Sequence, residues 1–397
     1  MRICDIDSFY SPRGGGVRTY HDKKIEYFVR HSEHSYTLIC PGSSRRLVYR
    51  AANVTVVELP GPRVTDGYRL LFNAGSLRRA LDRIQPDLVE IGEPYILPWV
   101  ARIASTRRCW PILGYWHADF PVAYVGAPIS KFAPRLAPTC ERVAWWYARR
   151  TYGSLDGIMA ASRSIMDRME EHKLPCDYQV PLGVDTRLFH PGKRDSSLRQ
   201  TVGCRADRGE VDRKVIFFPH RLATEKRLGL MLESFSLIAE SLDVSLVFAG
   251  MGPGQQLVQE AAARHKNIFY LGYVTDRELL ARWYASADVV CALCPTETFG
   301  LAVLEAMASG VSVVAVNQGA VSELVQASKC GFTIPPDDPP AVAEAVVRLL
   351  ENPEERKAAG RRGRAWAEAC SDWDSIFDHQ VDCYRAALHS HSSSRQP

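Results

Sequence analysis

The sequence lacks any apolar run that could cross a membrane. Its longest apolar segments, Val289–Leu293 and Val311–Val316, fall far short of the roughly 20 residues that a bilayer-spanning helix needs. The apolar segment and cleavage site of a signal peptide are also missing, because Met1 and Arg2 lead directly into the strand-like Ile3–Ile6. These absences predict a protein that stays in the cytoplasm.

A disulfide framework is absent as well. The 11 cysteines are an odd number and are scattered from Cys4 to Cys383 without regular spacing. Cys291 and Cys294 form a C-x-x-C pair, but the pair lies in an apolar strand-like run and has no partner pair at metal-site spacing. We therefore predict buried thiols, without disulfides and without a structural metal.

No nucleic-acid-binding module is recognisable, and the basic excess is small, so nucleic-acid binding is not expected. The formal net charge of +4 is unevenly spread. Residues 1–185 contain 25 Lys and Arg against 19 Asp and Glu, whereas the remainder contains 24 against 26. The basic first half favours an anionic lipid or a charged glycan as its partner.

Short apolar runs alternate with amphipathic, helix-like stretches along most of the chain, which is typical of parallel sheets with crossover helices. In the first half the predicted strands are Arg2–Ile6, Ser35–Cys40, Val54–Leu59, Leu88–Ile91, Ile112–Trp116, Gly157–Ala161 and Tyr178–Val180. In the second half they are Val215–Pro219, Ser245–Ala249, Ile268–Leu271, Val289–Cys294, Val311–Ala315 and Gly331–Ile334. The sequence thus predicts an α/β fold.

A length of 397 residues suits two domains. The polar, glycine-containing segment 191–213 interrupts the alternation and is predicted to be a linker. It separates two doubly wound, Rossmann-like domains, residues 1–190 and 214–371, whose sheets would face a central cleft at their carboxyl ends. The Ser- and His-rich tail, residues 389–397, is predicted to be disordered.

The most informative segment is residues 295–310. Glu297 lies in a loop before a predicted helix, and Glu305 lies inside that helix among apolar residues, which is unusual for a surface charge. The first amides of the helix could meet a phosphate or sugar oxygen, helped by the helix dipole. These amides belong to Phe299, Gly300 and Leu301. We favour ligand binding over the alternative that both acids are ordinary helix residues.

At these residues the chain resembles a known family. Glu297 and Glu305 lie in a T-E-x-F-G-L-x-x-L-E-A-M-A-x-G pattern similar to the signature of glycosyltransferase family 4, whose members are retaining enzymes with the GT-B fold. The resemblance covers nearly the whole chain and is strongest from Val215 to Pro335. It implies that Glu297 contacts the donor sugar and Glu305 the nucleotide ribose. It also implies that a helix near 372–388 packs back on the first domain.

A cationic segment follows the first strand of the second half. Arg221 offers a planar fork and Lys226 a mobile point charge, a combination suited to a departing diphosphate. The alternative is two solvated surface cations. The segment resembles the family's G-R-L-x-x-E-K-G, whose Arg and Lys bind the donor diphosphate. Here His220 and Arg227 replace the two glycines.

Glycine-rich loops are expected to approach the donor. The resemblance places Gly250, Gly252 and Val274 around the nucleotide. The loop after the first strand is neither a Walker A motif nor a G-x-G-x-x-G fingerprint, which counts against ATP and NAD. A plain turn is the alternative there. The resemblance implies that Gly15 and Gly16 of this loop lie near the donor phosphates.

His117 and Asp119 follow a predicted strand in the stretch H-A-D-F-P. This stretch resembles the H-T-D-F-P and H-T-H-x-P segments of family members that transfer mannose or build glycolipids, in which the His touches the donor sugar. We predict that His117 is catalytic and that Asp119 and Arg18 contact the acceptor. A structural role is the alternative for a lone histidine.

The segment Lys131–Arg150 mixes cations with Trp145 and Trp146. Such a face suits an anionic bilayer surface. A helix with its aromatic side chains in the core fits equally well, so peripheral binding to the inner face of the cytoplasmic membrane is one of two hypotheses.

Together these features predict a retaining glycosyltransferase that moves a hexose of the mannose or glucose type from a GDP- or UDP-sugar to an acceptor hydroxyl on a glycan or lipid. Arg221, Lys226 and the helix start would stabilise the leaving diphosphate. No D-x-D motif is placed to hold a metal against it, so no cofactor is expected and activity without a divalent metal is predicted. Two alternatives stay open, a nucleotide-sugar 2-epimerase and a non-catalytic nucleotide-sugar-binding protein.

Overall fold

The structure is a computed structural model, and it describes residues 1–11, 14–65, 68–105, 110–203 and 213–393. The chain forms two compact units. The first consists of Met1–Leu182 and the chain from Trp373 onward, and the second of Gly183–Asp372. The boundary thus lies at residue 182, before the predicted position at residue 190.

The first unit is built on one large sheet. Its strands are β1 Arg2–Ile6, β2 Ser35–Gly42, β3 Arg46–Ala51, β4 Val54–Pro60, β7 Leu88–Ile91, β8 Ile112–Trp116, β9 Gly157–Ala160 and β10 Tyr178–Gln179, and a separate hairpin consists of β5 Arg63–Thr65 and β6 Tyr68–Arg69. The sheet order is β10-β9-β8-β7-β1-β2-β4-β3, and every neighbouring pair is parallel except β3 with β4. The predicted parallel α/β architecture of the first half is confirmed.

Helices cover both faces of this sheet. They are α1 Gly16–Arg30, α2 Ala74–Ile84, α3 Leu97–Ser105, α4 Ala127–Phe132, α5 Ala137–Thr151 and α6 Arg163–Glu171, with a π-helical turn Pro121–Gly126, a 3-10 turn Tyr152–Ser154 and the C-terminal helix Trp373–Ser393. One apolar cluster joins β1, β7, α2 and α3, and another joins β8, β9, α5 and α6. Strands β7, β8 and β9 are buried at every residue, as expected for parallel strands covered on both sides.

The second unit has a six-stranded parallel sheet. Its strands are β11 Lys214–Pro219, β12 Val244–Ala249, β13 Ile268–Tyr270, β14 Val289–Ala292, β15 Ser312–Val316 and β16 Gly331–Ile334, in the order β13-β12-β11-β14-β15-β16. Its helices are α7 Ser196–Thr201, α8 Leu228–Ser241, α9 Gln255–Arg264, α10 Arg277–Ser286, α11 Leu301–Ala308, α12 Gly319–Ser328, α13 Pro339–Glu351 and α14 Pro353–Cys370, with 3-10 turns Pro191–Lys193 and Thr224–Lys226. This is a doubly wound α/β unit, as predicted.

Two segments differ from the prediction. The described part of the proposed linker contains α7, and its Arg199 is buried in a 2.9 Å ion pair with Asp288, so this part packs into the second unit. Residues 204–212 lie outside the described residues. The C-terminal helix continues to Ser393, so disorder was wrongly predicted for residues 389–393, whereas residues 394–397 are not described. Among the described residues, no helix is long and apolar enough to cross a membrane.

Candidate active site

Four loops meet at the carboxyl edge of the sheet in the second unit. They follow β11, β12, β13 and β14, and backbone hydrogen bonds tie the first three together. The amide of Leu222 donates to the carbonyl oxygen of Met251 at 3.0 Å, and the amide of Gly250 donates to that of Gly272 at 2.8 Å. Parallel α/β sheets bind ligands at this edge. The loops carry the residues that sequence analysis predicted for the donor.

Gly250 and Gly252 are required by the way these loops pack. Their φ angles are 137° and 156°, a range that favours glycine. A Cβ atom on Gly250 would lie 2.0 Å from the carbonyl oxygen of His220, and one on Gly252 would lie 2.4 Å from that of Leu222. The two glycines therefore allow the β12 loop to lie directly on the loop that carries Arg221. Val274 follows β13 at the same edge and is partly buried.

Lys226 and Glu297 form an ion pair at this edge. Burial alone would lower the pKa of Lys226, but the neighbouring Cys294 and Glu297 raise it above its usual value. Burial alone would raise the pKa of Glu297, but the charge and hydrogen bond of Lys226 lower it. Both groups are therefore charged at neutral pH.

Arg221 lies on the same loop as Lys226, and its side chain is 53% exposed. Its guanidinium lies 3.6 Å from the carboxylate of Glu225. Most of its planar fork therefore remains in contact with solvent, where a phosphate could reach it. The two predicted diphosphate cations thus lie on one loop, and Lys226 of this loop contacts Glu297.

Helix α11 begins at the same edge. Gly300 precedes it in the left-handed region with φ of 97°, and a Cβ there would lie 2.9 Å from Cγ1 of Val321. Gly300, the N-cap residue, has no side chain that could cap the first turn of α11. Phe299 is buried and Leu301 partly buried, so the backbone of this turn is held in place at the start of the helix.

Glu305 lies one turn further along α11 and is 8% exposed. Its carboxylate lies 3.3 Å from the guanidinium of Arg277 and accepts a hydrogen bond from Tyr284. Burial raises the pKa of Glu305, against the opposing effect of Arg277. Sequence analysis did not identify these two partners. Arg277 also lies over the ring of Phe189, 5.2 Å from its centroid.

The two residues that stand in place of the family's glycines in the cationic segment have different roles. The buried ring of His220 donates from Nε2 to the carbonyl oxygen of Cys291 at 2.8 Å, and burial lowers the pKa of His220 to about 4. His220 is therefore neutral and ties the β11 loop to β14. Arg227 adopts φ of 58°, a conformation in which a glycine would avoid steric cost, and pairs with Asp337 at 3.2 Å.

In the first unit, His117 lies at the carboxyl edge of the sheet, next to Asp7. Its side chain is 6% exposed, its Nε2 lies 4.0 Å from Oδ2 of Asp7, and its ring stacks on Tyr115 at 4.2 Å. Burial lowers the pKa of His117 to about 4, although Asp7 acts in the opposite direction. Its ring is therefore neutral and suited to a hydrogen bond with a sugar hydroxyl.

Asp7 also pairs with His21, whose Nε2 lies 3.0 Å from Oδ2 of Asp7. Asp7, His21 and His117 bring one ligand atom each to within 4.8 Å of one another, a set that could hold a metal ion. Sequence analysis missed this group, because its members come from three distant segments. Metal-independent activity accordingly remains a prediction.

Asp119 pairs with a cation that the sequence did not predict. Its side chain is fully buried and forms an ion pair with Arg168 of α6. Burial raises the pKa of Asp119, against the effect of Arg168. The carboxylate thus holds α6 to the loop after β8. Its Oδ1 has no hydrogen-bond partner among the described residues, and contact of Asp119 with the acceptor stays a prediction.

The predicted residues of the first glycine loop lie at the start of α1. Gly15 precedes the helix and Gly16 is its first residue, and a Cβ on Gly15 would meet no atom within 4 Å. Arg18 follows on α1 and pairs with Asp22 at 3.3 Å. Pro12 and Arg13 of this loop lie outside the described residues.

Comparison with known proteins finds two matching family models. The model "Glycosyltransferase Family 4" matches residues 14–188, and the model "Glycosyl transferases group 1" matches residues 205–366. A GDP-mannose-dependent alpha-(1-6)-phosphatidylinositol dimannoside mannosyltransferase of Mycobacterium tuberculosis is 29% identical over 376 residues, with 92% of each chain covered. A GDP-mannose-dependent alpha-mannosyltransferase of Corynebacterium glutamicum is 24% identical and covers 96% of this chain and 89% of the relative.

Solved structures resemble the fold. Sucrose-phosphate synthase from Thermosynechococcus elongatus matches with a TM-score of 0.79 at 18% identity, covering 98% of this chain and 100% of that one. Anabaena HepE in complex with UDP-glucose matches with a TM-score of 0.72 at 18% identity, covering 97% and 100%. At such identities the likeness shows the architecture alone.

Proposed function

Because the chain belongs to glycosyltransferase family 4 and is a hexosyltransferase with the GT-B fold, we propose that it transfers mannose from GDP-mannose to a hydroxyl group of a membrane glycolipid, with retention of the anomeric configuration. The relatives matched over nearly their full length are transferases, so the epimerase and the non-catalytic alternatives are set aside. The proposed donor and acceptor come from the names of the mannosyltransferases to which the chain is similar.

The observation that carries the proposal is the contact between Lys226 and Glu297 on loops that also hold Arg221. In the proposed reaction the bond between C1 of mannose and the diphosphate oxygen breaks. Lys226 and Arg221 would stabilise the negative charge that develops on GDP, and the first turn of α11 would contribute its amides. Glu297 would accept hydrogen bonds from mannose hydroxyls. By the family resemblance, His117 would also contact the donor sugar.

The acceptor hydroxyl would form the new bond to C1 on the face that the diphosphate leaves. Its proton would pass to the departing phosphate oxygen, so the products are the mannosylated acceptor and GDP. This step needs no nucleophile from the protein. Glu305 would bind the ribose hydroxyls at the end of the donor away from the reaction, with Arg277 and Tyr284 fixing its carboxylate.

The proposal is tested by incubating the purified protein with vesicles that contain phosphatidylinositol mannosides and with one of four donors. GDP-mannose should be used about tenfold or more faster than GDP-glucose, UDP-glucose or ADP-glucose, a usual size for discrimination by pocket contacts. NMR of the product should show an α-mannosidic linkage. Adding EDTA should change the rate by less than about twofold, because the protein's cations would neutralise the diphosphate.

A β-linked product or a preference for a UDP-sugar would contradict the donor and stereochemistry proposed. Loss of activity in EDTA, with recovery on adding Mg²⁺ or Mn²⁺, would contradict metal independence and direct attention to the group formed by Asp7, His21 and His117. Donor incubated without acceptor is the control, and formation of a new epimer there would restore the epimerase.

We further propose that α4 and α5 contact an anionic membrane. The exposed apolar side chains of α4, α5 and the turn between them are Phe132 at 90%, Leu136 at 59%, Val143 at 58% and Trp146 at 59%. The exposed cations beside them on the chain are Arg135, Arg142 and Arg150. In contrast, Trp145 is buried and stacks on Trp116 at 5.7 Å. Trp146 therefore fits the membrane hypothesis, and Trp145 fits the core hypothesis.

The double variant Phe132→Ser/Trp146→Ser should lose about tenfold or more of its affinity for vesicles rich in anionic lipid, because the large apolar groups that would enter the interface are removed. Cosedimentation with vesicles at increasing lipid concentration measures this. The matched control is Leu237→Ser/Leu257→Ser in the second unit, whose side chains are 39% and 46% exposed and which should bind like the wild type. Equal binding by both double variants would exclude α4 and α5 as the contact.

A further inference from the structure

The first unit contains a pocket whose lining includes no residue predicted to bind the donor. Its volume is about 440 Å³, within the range of small-molecule sites. It lies where β1, β2 and β4 end, and the β5–β6 hairpin forms one wall. The side chains that line it include those of Ser8, Arg18, Glu58, Arg63 and Arg69.

The pocket carries a positive excess. Its lining includes three arginines, Arg18, Arg63 and Arg69, against one glutamate, Glu58. One nitrogen of Arg69 donates to the carbonyl oxygen of Gly61 at 2.7 Å, which holds this guanidinium at the wall. Arginine forks match the geometry of phosphate oxygens and form strong, charge-assisted hydrogen bonds with them. A phosphate group is therefore the anion that this wall is best suited to bind.

Two further groups favour hydroxyls next to that phosphate. The hydroxyl of Ser8 is buried and has no hydrogen-bond partner among the described residues. Buried polar groups are normally satisfied, so this hydroxyl in the pocket wall is left to bond a ligand or a water. The carboxylate of Glu58 lies against Gly42, where a Cβ would come within 2.9 Å of its Oε2. A carboxylate so placed accepts hydrogen bonds from a polyol.

The hairpin wall is anchored to the end of β1. The ring of Tyr68 meets that of Phe9 edge-on, with 5.7 Å between their centroids. The amide of Phe9 in turn donates to Oδ1 of Asp7 at 2.6 Å. The pocket wall is thus connected through two residues to the carboxylate beside His117, the histidine proposed to hold the donor sugar.

We propose that this pocket binds the phosphate-bearing polyol part of the acceptor, with the arginines on the phosphate and with Ser8 and Glu58 on the hydroxyls. The identification of this ligand as the acceptor rests on the proposed transferase function. The same chemistry is offered by a lipid headgroup, which carries a phosphodiester, and by a free polyol phosphate. The experiment separates these two sources.

Binding is measured by titration calorimetry without donor, so it does not depend on turnover. The probes are glycerophosphoinositol, inositol 1-phosphate, inositol and inorganic phosphate. Glycerophosphoinositol should bind at least about tenfold more tightly than inositol or inorganic phosphate, which corresponds to about 1.4 kcal/mol. Tighter binding of glycerophosphoinositol than of inositol 1-phosphate identifies a lipid headgroup, and the reverse order identifies a free polyol phosphate.

Arg63→Gln and Arg69→Gln should each weaken binding of the phosphorylated probe about tenfold while leaving the dissociation constant for GDP unchanged. Ser8→Ala removes only one hydroxyl from the wall, so it should weaken binding of the phosphorylated probe less than the arginine variants do. It should weaken binding of inositol to the same extent. Arg79→Gln, an exposed arginine of α2 outside the pocket, is the control and should bind like the wild type. Circular dichroism of each variant checks that it is folded.

Equal affinity for inositol and the phosphorylated probes, or unchanged binding in both arginine variants, would overturn the proposal. Inorganic phosphate that binds as tightly as the polyol phosphates would likewise overturn the polyol assignment. If the probes bind as expected but no mannose is transferred, the pocket stands and the proposed function fails. If mannose is transferred and the pocket variants keep the wild-type KM for the acceptor, the proposed function stands and the pocket assignment fails.

Discussion

Lys226→Met is expected to reduce kcat by about 10²–10³, the usual cost of removing one group that stabilises charge in a transition state. The ammonium group is partly buried and adjoins Glu297, so it acts in an environment where charge is weakly screened. Methionine keeps the length and apolar stem of the side chain but removes its charge. The rate should be measured under donor saturation, together with the dissociation constants of GDP and guanosine.

The control for this variant is Lys193→Met. Lys193 also forms an ion pair with a glutamate, Glu278, in the second unit, but neither residue is predicted to contact the donor. Its loss should change kcat by less than about twofold, since such surface pairs contribute little. Similar effects of the two substitutions would show that Lys226 contributes only a general surface charge.

A positioning role must also be separated from a direct electrostatic role. If Lys226 acts only by holding Glu297, Lys226→Met should leave the affinity ratio of GDP to guanosine unchanged. If it contacts the diphosphate, that ratio should fall about tenfold or more, because guanosine lacks the phosphates. The second result is the one we expect, and the first would remove Lys226 from the diphosphate site.

The central strands could be predicted from sequence because they are covered on both faces and therefore read as continuous apolar runs. Strand β3 was not predicted, since it lies at the edge of its sheet and exposes Leu47 and Tyr49 among arginines. Such a strand has no apolar periodicity that distinguishes it from a loop. The hairpin β5–β6 was missed for a related reason, because its strands contain only three and two residues.

The candidate site was predictable where one local segment carries its chemistry. Glu297 and Glu305 lie within a single loop and helix, and the pattern around them is specific. Partners from distant segments could not be predicted in this way. Arg277 and Tyr284 reach Glu305 from another helix, and no spacing in the sequence links them to it. Asp119 shows the same limit, because its proximity to His117 in sequence did not reveal its ion pair with Arg168.

The largest feature that sequence analysis missed is a buried polar cluster around Lys24 in the first unit. The Lys24 side chain is 1% exposed, and its Nζ donates to Asp5 at 2.6 Å and to Glu90 at 3.1 Å. It also donates to the hydroxyls of Tyr20 at 3.0 Å and Tyr384 at 2.7 Å. Because Tyr384 belongs to the C-terminal helix, this cluster fixes that helix to strands from the start of the chain.

Lys24→Met is therefore expected to lower the free energy of unfolding by about 3–5 kcal/mol, since it leaves two buried carboxyl groups without their cation. Urea unfolding followed by circular dichroism measures the loss. Lys23→Met is the matched control. Lys23 pairs at 2.8 Å with Glu26, which is 55% exposed, so this variant should stay within about 0.5 kcal/mol of the wild type.

The pH dependence of this loss distinguishes charge from packing. In the wild type, burial and the charge of Glu90 raise the pKa of Asp5 to about 6, although Lys24 opposes this. Burial would also raise the pKa of Glu90, but Lys24 lowers it. Without Lys24 both pKa values should rise. When a carboxyl group has a raised pKa in the folded state, the folded protein loses stability as pH increases through that value.

The deficit of Lys24→Met should therefore be largest above pH 6 and shrink as pH falls and the carboxyl groups take up protons. A deficit that is the same at pH 8 and pH 5 would mean that methionine disturbs packing and that the cluster is not held together by its charges.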